Sequence, residues 1–303
     1  MLSVLSALWP VFAILMLGFI ARRIGFPGNG FWEPAEKLTY FVLFPVLLVN
    51  KLGSADITGV SIVDIAVAII LLLLIGTAIC FALRYWMGLS AGGFTSFYQG
   101  SVRFNTYVGL ASVSTLYGSE AVALSAVVIA FMIPLLNVLS IIVFSTQLGH
   151  KQGVKGVVLA LLKNPLIISC MLGIILNVSS IGVPSPIGSV LSLLGSMALP
   201  LGLLAVGAGL NLQALRAVQS AVWISSLIKL IVFPLVMFGI CFFMELSSFT
   251  TGLLLVFAAV PTAPSAFILA RQLGGDAEMM AAIITGQVVL SILTLPIMLG
   301  ILS

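Results

Sequence analysis

The chain has 303 residues, 61% of them hydrophobic and 7% charged, with a formal net charge of +4 and a mean hydropathy of +1.31. A soluble globular chain carries about 25% charged residues, so this composition excludes a soluble domain and specifies an all-α polytopic membrane protein in a lipid bilayer. The positive residues stand singly between apolar segments and form no basic stripe, which excludes a nucleic-acid partner.

In chain order, the first apolar span runs from Val4 to Ala21 and closes on Arg22 and Arg23. No basic segment precedes it and no small-residue cleavage site follows, so it is expected to be a retained helix and not a secretory signal. A Gly- and Pro-rich linker, Gly25 to Glu36, leads to a second span, Leu38 to Leu52, with Pro45 inside it. The third span is Ile62 to Tyr85, the fourth Phe94 to Tyr117, and the fifth Ala121 to Thr146. Then comes the polar connection Gln147 to Lys163, whose Val154–Leu162 portion fits a short amphipathic helix along the interface. Spans six to ten are Pro165–Val178, Ile187–Leu210, Ala221–Met244, Thr251–Gln272 and Ala277–Ile301. At roughly 20 apolar residues each, ten helices account for the chain.

Basic residues orient these spans. Connections after odd-numbered spans hold Arg22, Arg23, Lys37, Arg84, Lys151, Lys155, Lys163, Arg216 and Arg271, whereas those after even-numbered spans hold only Lys51, beside the acids Asp56, Glu120 and Glu245. The positive-inside rule then places the odd-numbered loops in the cytoplasm and both termini outside the cell (inner) membrane.

The two halves repeat. Pro10 matches Pro165, Met16-Leu17-Gly18 matches Met171-Leu172-Gly173, and Pro45 matches Pro200, all at an offset of 155. Ile24-Gly25-Phe26-Pro27 matches Ile181-Gly182-Val183-Pro184 at 157, while Asn105 falls on Pro261 and Glu120 on Asp276 at 156. The expected division is therefore a first five-helix repeat over 1–146, a cytoplasmic connection over 147–164, and a second repeat over 165–303. An odd number of spans per copy makes the repeat inverted.

Two spans are interrupted at matching places. The run Arg103-Phe104-Asn105-Thr106-Tyr107 breaks the fourth, and Val260-Pro261-Thr262-Ala263-Pro264-Ser265 breaks the ninth. Arg103 sits roughly 10 residues from either end of its span, about 15 Å of helix, too far to snorkel. Irregular backbone at that depth must be buried in protein or line a wet cavity, and paired broken helices point to a transporter's binding site. The half-helices starting near Thr106 and Ser265 offer unpaired N–H groups and positive dipole ends, which with the Arg103 guanidinium suit an anion. Asn105, Thr106, Pro261, Thr262 and Ser265 complete the expected substrate site, with Phe104, Tyr107 and Phe267 as walls for an organic moiety. The structural alternative is that Arg103 pairs with a carboxylate and only braces the bundle.

Other polar groups within spans are expected along the pathway or at a coupling site. Lys229 either snorkels or faces the path, Asp64 lies near the outer start of its span, and Asn50, Asn137 and Gln287 either line the path or bond between helices. Cys80, Cys170 and Cys241 lie alone in apolar stretches without disulfide or metal spacing, and His150 beside Lys151 reads as a solvated loop residue. Neither metal nor cofactor is expected. With no nucleophile–base pair and no His/Glu metal spacing, the chain is not read as an enzyme.

The runs Arg103-Phe104-Asn105-Thr106-Tyr107-Val108-Gly109-Leu110, Lys163-Asn164-Pro165-Leu166, Ala259-Val260-Pro261-Thr262-Ala263 and Ala270-Arg271-Gln272-Leu273-Gly274-Gly275-Asp276 resemble the auxin efflux carrier family, which includes the plant PIN carriers and many bacterial organic-acid permeases. The resemblance covers essentially all the spans. It implies a scaffold and a transport domain, two crossed broken helices, and a homodimer joined through the scaffold. It also implies that Asn105 helps hold a substrate carboxylate and that Pro261 is the crossover proline. Phe104 stands where plant members have proline, and the long central loop of plant carriers is missing. Arg103 is instead like the bacterial branch, which turns the expectation from auxin to a small carboxylate such as malonate or malate. The function expected is a secondary carrier for organic anions working by alternating access, proton-coupled or a facilitator, against an anion channel or a ligand-binding sensor on the same fold.

Overall fold

Hydrocarbon offers no partner to a backbone N–H or C=O, so an apolar chain in a bilayer satisfies them within helices. Among the described residues every regular element is helical. The computed structural model describes residues 2–28, 30–55, 61–118, 121–149, 162–179, 182–217 and 220–302. Most of the expected interfacial helix at Val154–Leu162, together with His150, Lys151, Lys155, Asp56 and Glu120, lies outside them. Among the described residues, six helical stretches are long and apolar enough to cross a membrane: Ser3–Arg23, Ile62–Met87, Ala121–Leu148, Ser185–Ala208, Ser220–Phe243 and Ala277–Leu302.

The first half comprises α1 (Leu2–Arg23), α2 (Trp32–Leu38), α3 (Phe44–Gly53), α4 (Ile62–Met87), α5 (Ala91–Val102), α6 (Thr106–Tyr117) and α7 (Ala121–Leu148). In the second half are α8 (Pro165–Val178), α9 (Ser185–Ser196), α10 (Ala198–Ala208), α11 (Ser220–Leu227), α12 (Phe233–Phe243), α13 (Ser248–Ala259), α14 (Ser265–Leu273) and α15 (Ala277–Leu302). The helix that carries the second span begins ahead of the apolar stretch, at Trp32. Pro34 sits in the first turn of α2, where its missing N–H costs nothing, and a π-helical turn over Thr39–Leu43 joins α2 to α3. There the Phe44 N–H reaches back five residues to the Thr39 carbonyl, just ahead of Pro45. Ile228–Val232 makes the same kind of turn ahead of Pro234, between α11 and α12. Such turns re-aim side chains within a helix.

The broken helices are the innermost. Every residue of α5 from Gly93 to Val102 is buried, as is every residue of α13 from Gly252 to Ala259. Serine caps both: Ser90 Oγ accepts from the Gly93 N–H at 3.0 Å, and Ser247 Oγ from the Thr250 N–H at 3.2 Å. The half-helices that follow, α6 and α14, both end on glycines at positive φ, Gly118 at +83° and Gly274 at +74°.

Around them, α1 crosses α10 and α3 crosses α8, each at glycine. A Cβ on Gly18 would fall on the Leu204 carbonyl oxygen and one on Gly207 on that of Leu15. At the other crossing, a Cβ on Gly173 would stand 2.7 Å from Leu52 Cβ and 3.4 Å from Val49 Cα. Apolar helices in lipid gain little from hiding from water, so they associate by close approach over small residues.

Candidate functional site

The two breaks meet. The Asn105 N–H donates to the Pro261 carbonyl at 2.7 Å, joining the irregular segment before α6 to the one before α14. Four helix ends converge there, and each needs partners for its open backbone groups.

At the end of α5 the Gly100 carbonyl receives Thr262 Oγ1 at 2.6 Å and Gln287 Nε2 at 2.8 Å. Gln287 Oε1 in turn accepts the Thr262 N–H at 2.9 Å. At the end of α13 the Ala258 carbonyl receives Lys229 Nζ at 2.8 Å. At the start of α6, Asn105 Oδ1 accepts the Tyr107 and Val108 N–H groups at 3.1 and 3.2 Å. At the start of α14, tight turns tie Ala266 N–H to the Ala263 carbonyl and Phe267 N–H to that of Pro264.

These contacts change the reading of several expected site residues. Thr262 and Gln287, both fully buried, stitch the crossing together and do not line the cavity. Pro261 acts through its carbonyl. Asn105 is an N-cap first: its oxygen is committed to α6, and only the buried Nδ2 lacks a partner. Several of the first amides of both half-helices are already bonded, which leaves the Arg103 guanidinium as the cationic group at the crossing that lines the cavity. Lys229 does not snorkel, because the π-helical turn holds it inside, 0% exposed. Asp64, near the start of α4, and Asn50, in α3, lie away from the cavity at Arg103.

That cavity, about 970 Å³, has Arg103, Phe104, Thr106, Asn137, Ala263 and Ser265 in its walls. Arg103 is 8% exposed. Its Nη2 donates to Asn137 Oδ1 at 2.9 Å and its Nη1 to Ser265 Oγ at 3.4 Å, while Nε has no partner. No carboxylate pairs with it among the described residues, so the purely bracing role expected of an ion pair has no acid to act through. Phe267 lines the wall, but Tyr107 packs edge-on against Phe44, with ring centroids 5.1 Å apart, and does not. Glu33, Lys37, Arg271 and Gln272 are exposed and mark the mouth.

Several lining groups lie outside the expected site, among them Tyr40, Asn164 and Glu36. Glu36 lies on the last turn of α2, ahead of the expected start of the span, half-buried in the cavity wall. Burial raises its carboxyl above the usual range, and the like charge of Glu33 adds to the shift. Glu33 instead pairs with Lys37 at 2.8 Å, which holds it low. The signal available was the spacing of Glu36 and Tyr40, one turn apart on a helix.

The site brings together a guanidinium with one unpartnered N–H, an aromatic-walled cavity and broken helix ends. Comparison with known proteins points to membrane transport. A family model described as a membrane transport protein matches residues 151–299. An uncharacterized transporter from Methanothermobacter thermautotrophicus is 25% identical over 295 residues, spanning 95% of this chain and 94% of the relative.

Proposed function

The chain belongs to the auxin efflux carrier family of membrane transport proteins, and from that premise we propose that it is a secondary carrier, not an enzyme, that moves small organic anions by alternating access. One observation carries the substrate class. Arg103 is a buried cation with an unpartnered N–H, in the wall of a cavity and ion-paired to no acid among the described residues. Burying an unpaired charge is expensive unless a counter-charge arrives, and a carboxylate supplies one in the planar geometry a guanidinium favours. Phe104 and Phe267 suit a short carbon chain between or beside the carboxylates.

The architecture in this proposal is ten spans in two inverted five-helix repeats with the fourth and ninth broken and crossed, assembled as a homodimer. Its support is internal. Gly18 meets Leu204 and Gly173 meets Val49, and both members of the second pair stand 155 positions from their counterparts in the first. With the basic loops cytoplasmic, the cavity mouth at Lys37 and Arg271 faces the cytoplasm. The conformation is then inward-facing, and rocking one bundle against the other opens the same site outward.

Flux of radiolabelled malonate, malate and a monocarboxylate into proteoliposomes tests this reading. Saturable, Arg103-dependent uptake is the expected result. Unsaturable, channel-like current would replace the carrier with a channel, binding without flux would indicate a sensor, and neither flux nor binding across the panel would contradict the substrate class.

A further inference from the structure

The last carbonyls of a helix carry partial negative charge, and in carriers built on broken helices such C-terminal ends coordinate the coupling Na⁺ or proton. Two such ends lie at this crossing, those of α5 and α13, and both are already taken by side chains. Neutral groups hold the α5 end, since Thr262 Oγ1 and Gln287 Nε2 both donate to Gly100. The α13 end is held by an amine: Lys229 Nζ donates to the Ala258 carbonyl at 2.8 Å and to that of Phe257 at 3.5 Å.

The surroundings of Nζ fit an ammonium. Two carbonyl oxygens face it, and the ring of Phe233 lies 5.1 Å away. All of these attract a cation. A neutral amine would bring a lone pair in search of a donor, and none is directed at it among the described residues. No carboxylate shares the pocket either. The side chain is wholly buried, so solvent does not supply the charge balance; the helix end does. Its position is fixed by the π-helical turn Ile228–Val232, which the sequence places just before Pro234.

We propose that Lys229 is a tethered cation: its ammonium occupies the end of α13 where an alkali ion would otherwise be coordinated, so that anion transport proceeds without sodium or potassium coupling. The proposal rests on the carrier reading above. It assigns the crossing two fixed positive charges of different kind. Arg103 faces the cavity and meets the substrate, whereas Lys229 faces away from it and holds the broken helix. Lys229 is thus a positioning residue, acting through the α13 end.

The test is uptake of radiolabelled malonate into proteoliposomes under imposed gradients of Na⁺, K⁺ or N-methylglucamine, for the parent protein and Lys229→Ala. The parent is expected to transport at the same rate, within about twofold, in all three cations. Lys229→Ala leaves two carbonyls unpaired and opens a space the size of the lost side chain. Its rate is expected to fall at least about tenfold, the scale of a buried group left unsatisfied. Added ammonium, methylammonium or sodium should then restore it saturably. A passive brace would show no such rescue, and a loss that no cation restores overturns the proposal. So does a parent flux driven by sodium or potassium, or a Lys229→Ala variant with parental rate. Parent protein inert in every cation contradicts the carrier reading itself, and the proposal falls with it. Where Lys229→Ala does not fold, the parent arm decides alone: flux indifferent to the cation sustains the proposal and gradient-driven flux ends it.

Discussion

Asn105 illustrates how one side chain at a break serves two ends. Its oxygen caps α6 through Tyr107 and Val108, and its backbone N–H ties the break to Pro261. Asn105→Ala removes the cap and should destabilise the protein by about 1 kcal/mol, within the roughly 0.5–2 kcal/mol range for such losses. Asn105→Asp keeps a capping oxygen but sets a negative charge beside the site. It should melt near the parent temperature while malonate affinity falls about tenfold, roughly 1.4 kcal/mol. Parallel melting and binding measurements separate the two effects. Glu36 makes the site sensitive to pH. Its carboxyl takes up a proton at higher pH than an ordinary glutamate, because burial and Glu33 both penalise the charged form. Above its raised pKa it is a negative charge in the wall of an anion cavity, and below it is neutral. Affinity for an anion that stays ionised across the range should therefore rise as pH falls through that raised pKa, by roughly fivefold for a neighbouring unit charge. In Glu36→Gln, affinity should be high throughout and this part of the slope should vanish. A slope unchanged by that substitution would assign it elsewhere.

The helical elements divide into those set by pattern and those set by contact. The two interruptions were legible because a buried arginine or a double proline in an apolar run has few explanations in hydrocarbon. The limits of the six long apolar helices were closely legible from hydropathy, whereas the amphipathic turn of α2 carrying Glu33 and Glu36 reads as linker. The partners at the crossing were not legible. Thr262 and Gly100 are 162 residues apart, and Gln287 and Gly100 are 187 apart, distances over which no local pattern speaks. Lys229 was ambiguous for a different reason: its direction depends on a π-helical turn, and no periodicity at the ordinary helical repeat reveals one. The glycine crossings give an element-scale prediction. Gly18→Ala and Gly207→Ala drive a methyl into the facing backbone of α10 and α1, which should destabilise by about 1–3 kcal/mol, as overpacking does. Gly239→Ala, in α12, meets nothing within 4 Å. It should be neutral, or stabilising by up to about 1 kcal/mol through helix propensity. Thermal unfolding in detergent ranks the three, and equal melting temperatures would deny the close crossing any part in stability.

At the scale of the whole molecule, two kinds of packing coexist. The crossings α1 with α10 and α3 with α8 are tight and apolar, as suits a rigid scaffold. Buried polar bonds fix the broken helices at the crossing, yet the wall beside it opens into a cavity of about 970 Å³. The alternating access proposed above asks for a site held firmly at one point and open on one side at a time. The proposed transport turns on whether the cation at that point receives an anion. The most direct measurement is malonate binding and thermal unfolding on the same purified samples of parent, Arg103→Lys and Arg103→Ala. Loss of a charged hydrogen bond should weaken binding to Arg103→Ala by about 1.5–3 kcal/mol. Arg103→Lys should recover part of it, because charge persists without the planar fork. Arg103→Ala should still fold, its melting temperature lowered only by as much as the loss of the bonds to Asn137 and Ser265 requires, since no acid depends on the guanidinium. Parental affinity in Arg103→Ala, or a collapse of its melting temperature with affinity intact in the surviving protein, would contradict the anion site at the crossing.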